Sequence, residues 1–194
     1  MGLTVLLARH CAHDELGRVL SGRSDVGLNA VGRHQAEQLA SRVASVRLTK
    51  LYSSPRRRAR ETAEIVARRL DLDVSLADEL DEIDFGRWAG QSFSTLEQDP
   101  AWRRWNNFRG SAATPGGETI ESVTTRVWRH LEACEEYGKI LCISHCDVVR
   151  GVVARVLGLT ADHLLTFDVD PASVSTIHIS NGRARVIAVN ERVF

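Results

Sequence analysis

Residues 139–159 read KILCISHCDVVRGVVARVLGL, and residues 4–15 read TVLLARHCAHDE. Each opens with an apolar run too short for a buried helix, as expected of a strand covered on both faces of a parallel sheet. Each run ends in His-Cys. In residues 139–159 an apolar helical pattern follows the pair at once. Strand and helix are therefore joined by almost no loop, which is how α/β layer folds gather polar residues where strands end.

Working outward, LTVLLA (3–8) is the first strand. LNAVGRHQAEQLASRV (28–43) predicts a helix, with Asn29 as N-cap and Ala36, Leu39, Ala40 and Val43 on one face. KLYSS (50–54) is a second strand running into SPRRRARETAEIVARRL (54–70), where Ser54 is expected to cap and Pro55 to fill the first turn. KILCIS is a third strand, followed by the helix DVVRGVVARVLGL. SVSTIHIS (173–180) and ARVIAVN (184–190) flank Asn181-Gly182-Arg183, a hairpin signal. The sum is an α/β three-layer sandwich, its mostly parallel central sheet flanked by helices and closed by an antiparallel edge hairpin. Residues 80–118 are less regular and hold Trp88, Trp102 and Trp105. They read as a lid-like insertion with packing aromatics, within a single domain spanning 1–194.

The 194 residues are 43% hydrophobic, enough for one real core. Lys plus Arg and Asp plus Glu number 25 each, so the chain lacks the cationic excess of a general nucleic-acid or anionic-membrane binder. Any anion site must be a local concentration of arginines. MGLTVLLARH has too short an apolar run for a signal peptide, and Leu6 breaks a myristoylation pattern. No run approaches the ~18 apolar residues of a membrane span. A cytoplasmic protein with no membrane partner is expected. Cys11, Cys134, Cys142 and Cys146 then read as free thiols. A homo-oligomer is compatible with this composition.

In open parallel sheets, ligands bind beyond the carboxyl ends of the strands. Arg9 and His10, Ser53 to Arg58, and His145 all fall there. Histidines, arginines and a helix N-terminus together suit a phosphate. Among His10, Cys11, His145 and Cys146, cysteine is the poorer nucleophile candidate: a tyrosine-phosphatase loop would place Arg six residues after Cys146, where Val152 stands. Adjacent His-Cys pairs also lack the spacing of a zinc site. Four carboxylates, Glu79, Asp81, Glu82 and Asp84, compete for the role of proton donor.

Six segments occur in a familiar order: ARHC (8–11), LSGRSDVGLNAVGRHQA (20–36), LYSSPRRRARETA (51–63), LDEIDFGRWAG (80–90), TPGGET (114–119) and LCISHCDVVRGVVARVLGL (141–159). On these the chain resembles the histidine phosphatase superfamily, the phosphoglycerate-mutase-like phosphatases of branch 1 type. The resemblance implies that His10 is the nucleophile and becomes phosphohistidine. It implies that Arg9, Arg58 and His145 bind the phosphoryl oxygens and that Glu82 protonates the leaving alcohol. Ser21, Gly22 and Cys146 join the substrate-binding set. The implied activity is hydrolysis of a small phosphorylated metabolite without metal or cofactor. The alternatives are a catalytically weak phosphate-binding regulatory relative and a phosphomutase.

The chain departs from the family pattern at Cys11 and Cys146, where relatives have glycine. The thiols are expected to pack as compact hydrophobes, and beside arginines their thiolates are expected to be favoured and open to oxidants. Ala12, His13 and Leu16 replace an acid, a Thr or Ser, and an Asn. His13 lies within reach of a substrate. His34, His130 and His163 are expected to face solvent, and His178 to serve as a cross-strand partner.

Overall fold

The computed structural model describes residues 2–134 and 137–192. In chain order the elements are β1 (Leu3–Arg9), α1 (Ala30–Val43), β2 (Lys50–Ser53), α2 (Arg57–Leu70), β3 (Val74–Leu76), α3 (Phe93–Leu96), α4 (Pro100–Asn107), α5 (Ile120–Ala133), β4 (Gly138–Ser144), α6 (Cys146–Leu157), β5 (Val174–Ser180) and β6 (Arg183–Glu191). The sheet order is β3-β2-β4-β1-β5-β6. The first four of these run parallel, and β5 and β6 are antiparallel to their neighbours.

The two-residue period of each strand sorts its side chains between two cores. Leu6 and Ala8 of β1, Leu51 of β2, and Leu141 and Ile143 of β4 pack against Leu39, Ala40 and Val43 of α1 and Ala59, Ala63 and Val66 of α2. Leu3, Val5 and Leu7, with Ile140 and Cys142, face the other way, onto Val123 and Val127 of α5 and Val148 and Val152 of α6. Three layers result. Trp88, Trp102 and Trp105 join this second core, with Trp88 edge-on to Trp102 at 5.3 Å. Asn181 and Gly182, both at positive φ, make the tight turn between β5 and β6. Among the described residues no helix is long and apolar enough to cross a membrane.

One local detail differs from expectation, and two elements have no counterpart in the sequence reading. α2 begins at Arg57, and the Ser54 hydroxyl accepts from the Arg56 amide rather than capping the helix. That hydroxyl is drawn instead to His145, 2.7 Å away. β3 is too short to show a period. α5, opened by a Thr119–Ser122 capping box, carries β-branched residues that blur its helix propensity, although Ile120, Val123, Thr124, Val127 and Leu131 keep helical spacing on its buried face.

Candidate active site

Parallel pairing brings the strand ends to one rim. Arg9 lies opposite Ser144 in the β1–β4 ladder. His10 N–H donates to Ser144 O at 2.8 Å and Ser54 N–H to Ile143 O at 2.9 Å, which extends both ladders one residue past the strands. The His10 and His145 rings consequently sit 5.1 Å apart, centroid to centroid. Arg58, in the first turn of α2, is 1% exposed and reaches between them.

Each histidine has its tautomer set by a neighbour. Nδ1 of His10 lies 2.9 Å from its neighbour's carbonyl, Cys11 O. A carbonyl can only accept, so the ring proton is on Nδ1 and Nε2 carries the lone pair. Arg58 Nε donates to that Nε2 at 3.2 Å. His145 is the reverse case. Arg58 Nη2 lies 3.1 Å from its Nδ1, and a guanidinium only donates, so the proton of His145 is on Nε2 and points to Ser54 Oγ. Burial, and then Arg58, hold both histidines well below the ordinary imidazole range. Both are neutral at pH 7.

Arg58 is itself clamped. Its Nη2 donates to Gly22 O at 2.6 Å and its Nη1 to Ser24 O at 3.3 Å. Arg9 is fixed by Val169 O at 2.7 Å. Glu82 is 8% exposed, with Oε2 at 3.7 Å from His145 Nδ1 and 4.0 Å from Arg58 Nη2. Burial pushes its carboxyl up to about 7 against the pull of Arg58, and the Asp147 charge adds to the rise. Of the four competing carboxylates, only Glu82 lines the pocket.

That pocket, of about 260 Å³, is lined by Arg9, His10, Arg58 and Glu82 at its floor and by Ser21, Gly22 and Cys146 at its side. His145 is fully buried just behind, within contact of Arg58. Phe85, Phe93, Trp102, Asn106 and Arg109 contribute the outer wall. Arg109 stacks over Trp105 at 4.0 Å and pairs with Asp147 at 3.0 Å, tying this wall to α6. His13 is 5% exposed, 5.2 Å from the His10 ring, and pushed down to about 4 by burial and Arg58.

Two expectations fail. The thiolates are not favoured: burial pushes Cys11 up to about 12 and Cys146 up to about 11, outweighing Arg9 beside Cys146. The Cys11 side chain packs against Leu28, Ala36, Ile65 and Ala172, away from the pocket. The packing half of the expectation therefore holds, with Cys11 fully buried and Cys146 set against the second core, and the favoured thiolate does not. His130 is not a solvent-facing residue either: it stacks edge-on against Tyr52 at 4.8 Å and sits 3.8 Å from Glu79. His34 and His163 are exposed, and His178 pairs across the sheet with Thr4. Sequence reasoning gave Ser54 a capping role and Asp81 a place among the rival proton donors, where the structure sets them in line behind His145, and it missed Arg109 and Asp147 at the wall. Arg109 and Asp147 sit in separate segments with no shared motif, whereas the position of Ser54 one residue past a strand end is a signal that was spent on helix capping.

A twin-histidine pocket with a clamped arginine and a raised carboxyl, at the rim of this sheet, defines a phosphoryl-handling α/β protein. The chain belongs to the histidine phosphatase superfamily, branch 1, whose family profile matches residues 5–192. It is 31% identical over 193 residues to phosphoserine phosphatase 1 of Hydrogenobacter thermophilus, covering 96% of this chain and 91% of that one. It is 35% identical to a bifunctional protein of Mycobacterium tuberculosis over 96% of its own length, but spans only 53% of that protein. Among solved structures it is similar to the alpha-ribazole phosphatase of Shigella flexneri, with a TM-score of 0.85 at 29% identity, covering 97% and 96% of the two chains.

Proposed function

We propose that the protein hydrolyses a small phosphomonoester through a phosphohistidine on His10. The observation that carries this is the His10 tautomer: Nδ1–H is bound to Cys11 O, and Nε2 offers its lone pair at the pocket floor between two arginines. An imidazole attacks phosphorus only when neutral, and burial keeps it so. Arg9, Arg58 and His145 take the phosphoryl oxygens. Arg58 then exchanges its bond to His10 Nε2 for bonds to the incoming group, which frees the nucleophile as the substrate seats. The fixed guanidinium charges stabilise the spread charge of the transferring group without being able to lose their protons.

Glu82, protonated over much of the neutral range, gives its proton to the leaving oxygen. Its carboxylate then deprotonates the water that attacks phosphohistidine, which restores both His10 and Glu82. Ser21 and Gly22 line the substrate's side of the pocket, and the wall built by residues 80–118 acts as the lid that selects the leaving group. Within the one domain, that segment is where substrate choice resides. The phosphatases among the relatives favour hydrolysis of a small metabolite over phosphoryl return to a second alcohol. The four free thiols suit a reducing, cytoplasmic setting.

The test is a rapid acid-free quench after mixing with 32P-labelled monoester, with chelator present throughout. An acid-labile, alkali-stable phosphoryl group on His10 is the expected result, with His10→Ala inactive and unlabelled. Label on another residue, or turnover that stops with the chelator, would sink the proposal.

A further inference from the structure

Asp81 is 5% exposed, lies beside the proton donor in sequence, and faces away from the pocket. Its Oδ1 accepts the Glu82 N–H at 2.7 Å, pairs with Arg56 Nε at 2.9 Å and lies 3.4 Å from Ser54 Oγ. Its Oδ2 is 3.4 Å from Arg23. Ser54 Oγ is in turn 2.7 Å from His145 Nε2. A buried carboxylate, a hydroxyl and an imidazole thus stand in line, and the imidazole ends at the site. The direction of the proton chain follows from donors that cannot accept. Arg58 occupies Nδ1 of His145, so Nε2–H donates to Ser54, and the Ser54 O–H is left to donate to Asp81.

We propose that Asp81 is a positioning residue which, through Ser54, keeps the His145 proton on Nε2 and supports the imidazolium that His145 becomes when a phosphoryl group binds. In the resting site Nδ1 has no proton to give. A phosphoryl oxygen arriving there displaces Arg58 Nη2 and meets a lone pair, which repels it. The contact becomes favourable when Nδ1 gains a proton. A phosphomonoester with a second ionisation near pH 6 can bring that proton: the monoanion passes it to Nδ1, leaving a dianion against an imidazolium. The groups facing His145 are Arg58 from α2, Arg9 from β1, His10 just past it, Arg126 from α5, and Glu82. The cations oppose a second positive charge, and Glu82 is partly protonated. The Asp81 charge, relayed by Ser54, is the counterweight on the far side of the ring.

The binding part of this inference rests on reading His145 as a phosphoryl ligand; the tautomer part does not. Imidazole 15N resonances of His145 in the ligand-free protein are expected to show Nε2 protonated and Nδ1 bare. Asp81→Asn keeps an oxygen that accepts from Ser54 but removes the charge, so the proton is expected to stay on Nε2 while the imidazolium loses its counterweight. Inorganic phosphate should bind Asp81→Asn on the order of 10-fold more weakly at pH 6.5, the gap closing toward pH 9 where the complex no longer takes up the proton. Ser54→Ala should show the same pH-dependent gap, and it decides the matter if Asp81→Asn fails to fold. Arg23→Gln breaks an Asp81 ion pair without touching the relay and should show no such gap. Wild-type protein with Nδ1 protonated would overturn the inference. So would a loss of phosphate affinity in Ser54→Ala that is constant with pH, or an Arg23→Gln profile matching Asp81→Asn. Failure of phosphate to bind the wild-type protein would instead count against the proposed function, with the tautomer still readable.

Discussion

Glu82 shows how far one side chain's behaviour depends on what surrounds it. In the sequence it is one of four neighbouring carboxylates, and chemistry alone gives no reason to prefer it. In the fold, Asp81 turns to Ser54 and Arg56, Asp84 to Gly86 and Arg23, and Glu79 to His130, while Glu82 alone meets the pocket. Its importance should scale with how badly the leaving oxygen needs a proton. With an alkyl phosphate, Glu82→Gln is expected to slow the first step on the order of a hundred-fold. With p-nitrophenyl phosphate the phenolate leaves unprotonated, and phosphohistidine should form at a nearly normal rate. Hydrolysis still needs the base, so stopped-flow traces should show a burst of nitrophenolate equal to the enzyme present, followed by slow turnover. Equal slowing of both first steps would move the acid's role to another group. Cys11 makes the opposite point: proximity to Arg9 and His10 in sequence suggests a reactive thiol, and the inward turn of the side chain cancels it.

At the scale of elements, most of the fold was legible because strand and helix periods are visible in runs of ordinary length. β1, β2, β4, α1, α6 and the terminal hairpin fall where the pattern puts them. Misses occurred where the local signal is weak or does double duty: β3 has only three residues, α5 is rich in β-branched side chains, and Ser54 serves the site instead of its helix. One contact between elements was invisible in one dimension. Gly32, in the first turn of α1, lies against the loop that follows His10, and a Cβ there would stand 1.9 Å from Ala12 O. A backbone carbonyl cannot swing aside as a side-chain tip can. Gly32→Ala is therefore expected to cost on the order of 2 kcal/mol or more by shifting α1 or that loop. Chemical denaturation should register the loss, while Val31→Ala, at a position 61% exposed, should stay within about 0.5 kcal/mol of wild type. A Gly32→Ala protein as stable as the parent would mean the loop has slack that this packing does not suggest.

For the molecule as a whole, the layers were legible from the order of elements, because near-continuous apolar strands interleaved with amphipathic helices require a parallel sheet covered on both faces. The site was legible in part. Strand ends could be located, but the Asp81 relay and the Arg109–Asp147 tie join segments that only the finished fold brings together. Building the site also affects global stability. His10 and His145 are buried neutral with their protonation opposed, so unfolding binds protons and stability declines as pH falls below about 6.5. Glu82 acts in the other direction. The unfolded chain releases its proton near 4.5 and the folded protein holds it to about 7. Between those values the native carboxyl binds more protons, so this group's contribution to stability falls as pH rises, and above 7 the ionised, buried carboxylate is a standing cost on the order of 3 kcal/mol. Glu82→Gln removes that cost. Urea unfolding of the variant should match the parent near pH 4.5 and exceed it by that amount at pH 8, in an enzyme that has lost alkyl phosphate turnover. Equal or lower stability of the variant at pH 8, with the two proteins still matched near pH 4.5, would show that Arg58 holds the Glu82 carboxylate ionised. A carboxyl so placed would be a poor acid at neutral pH.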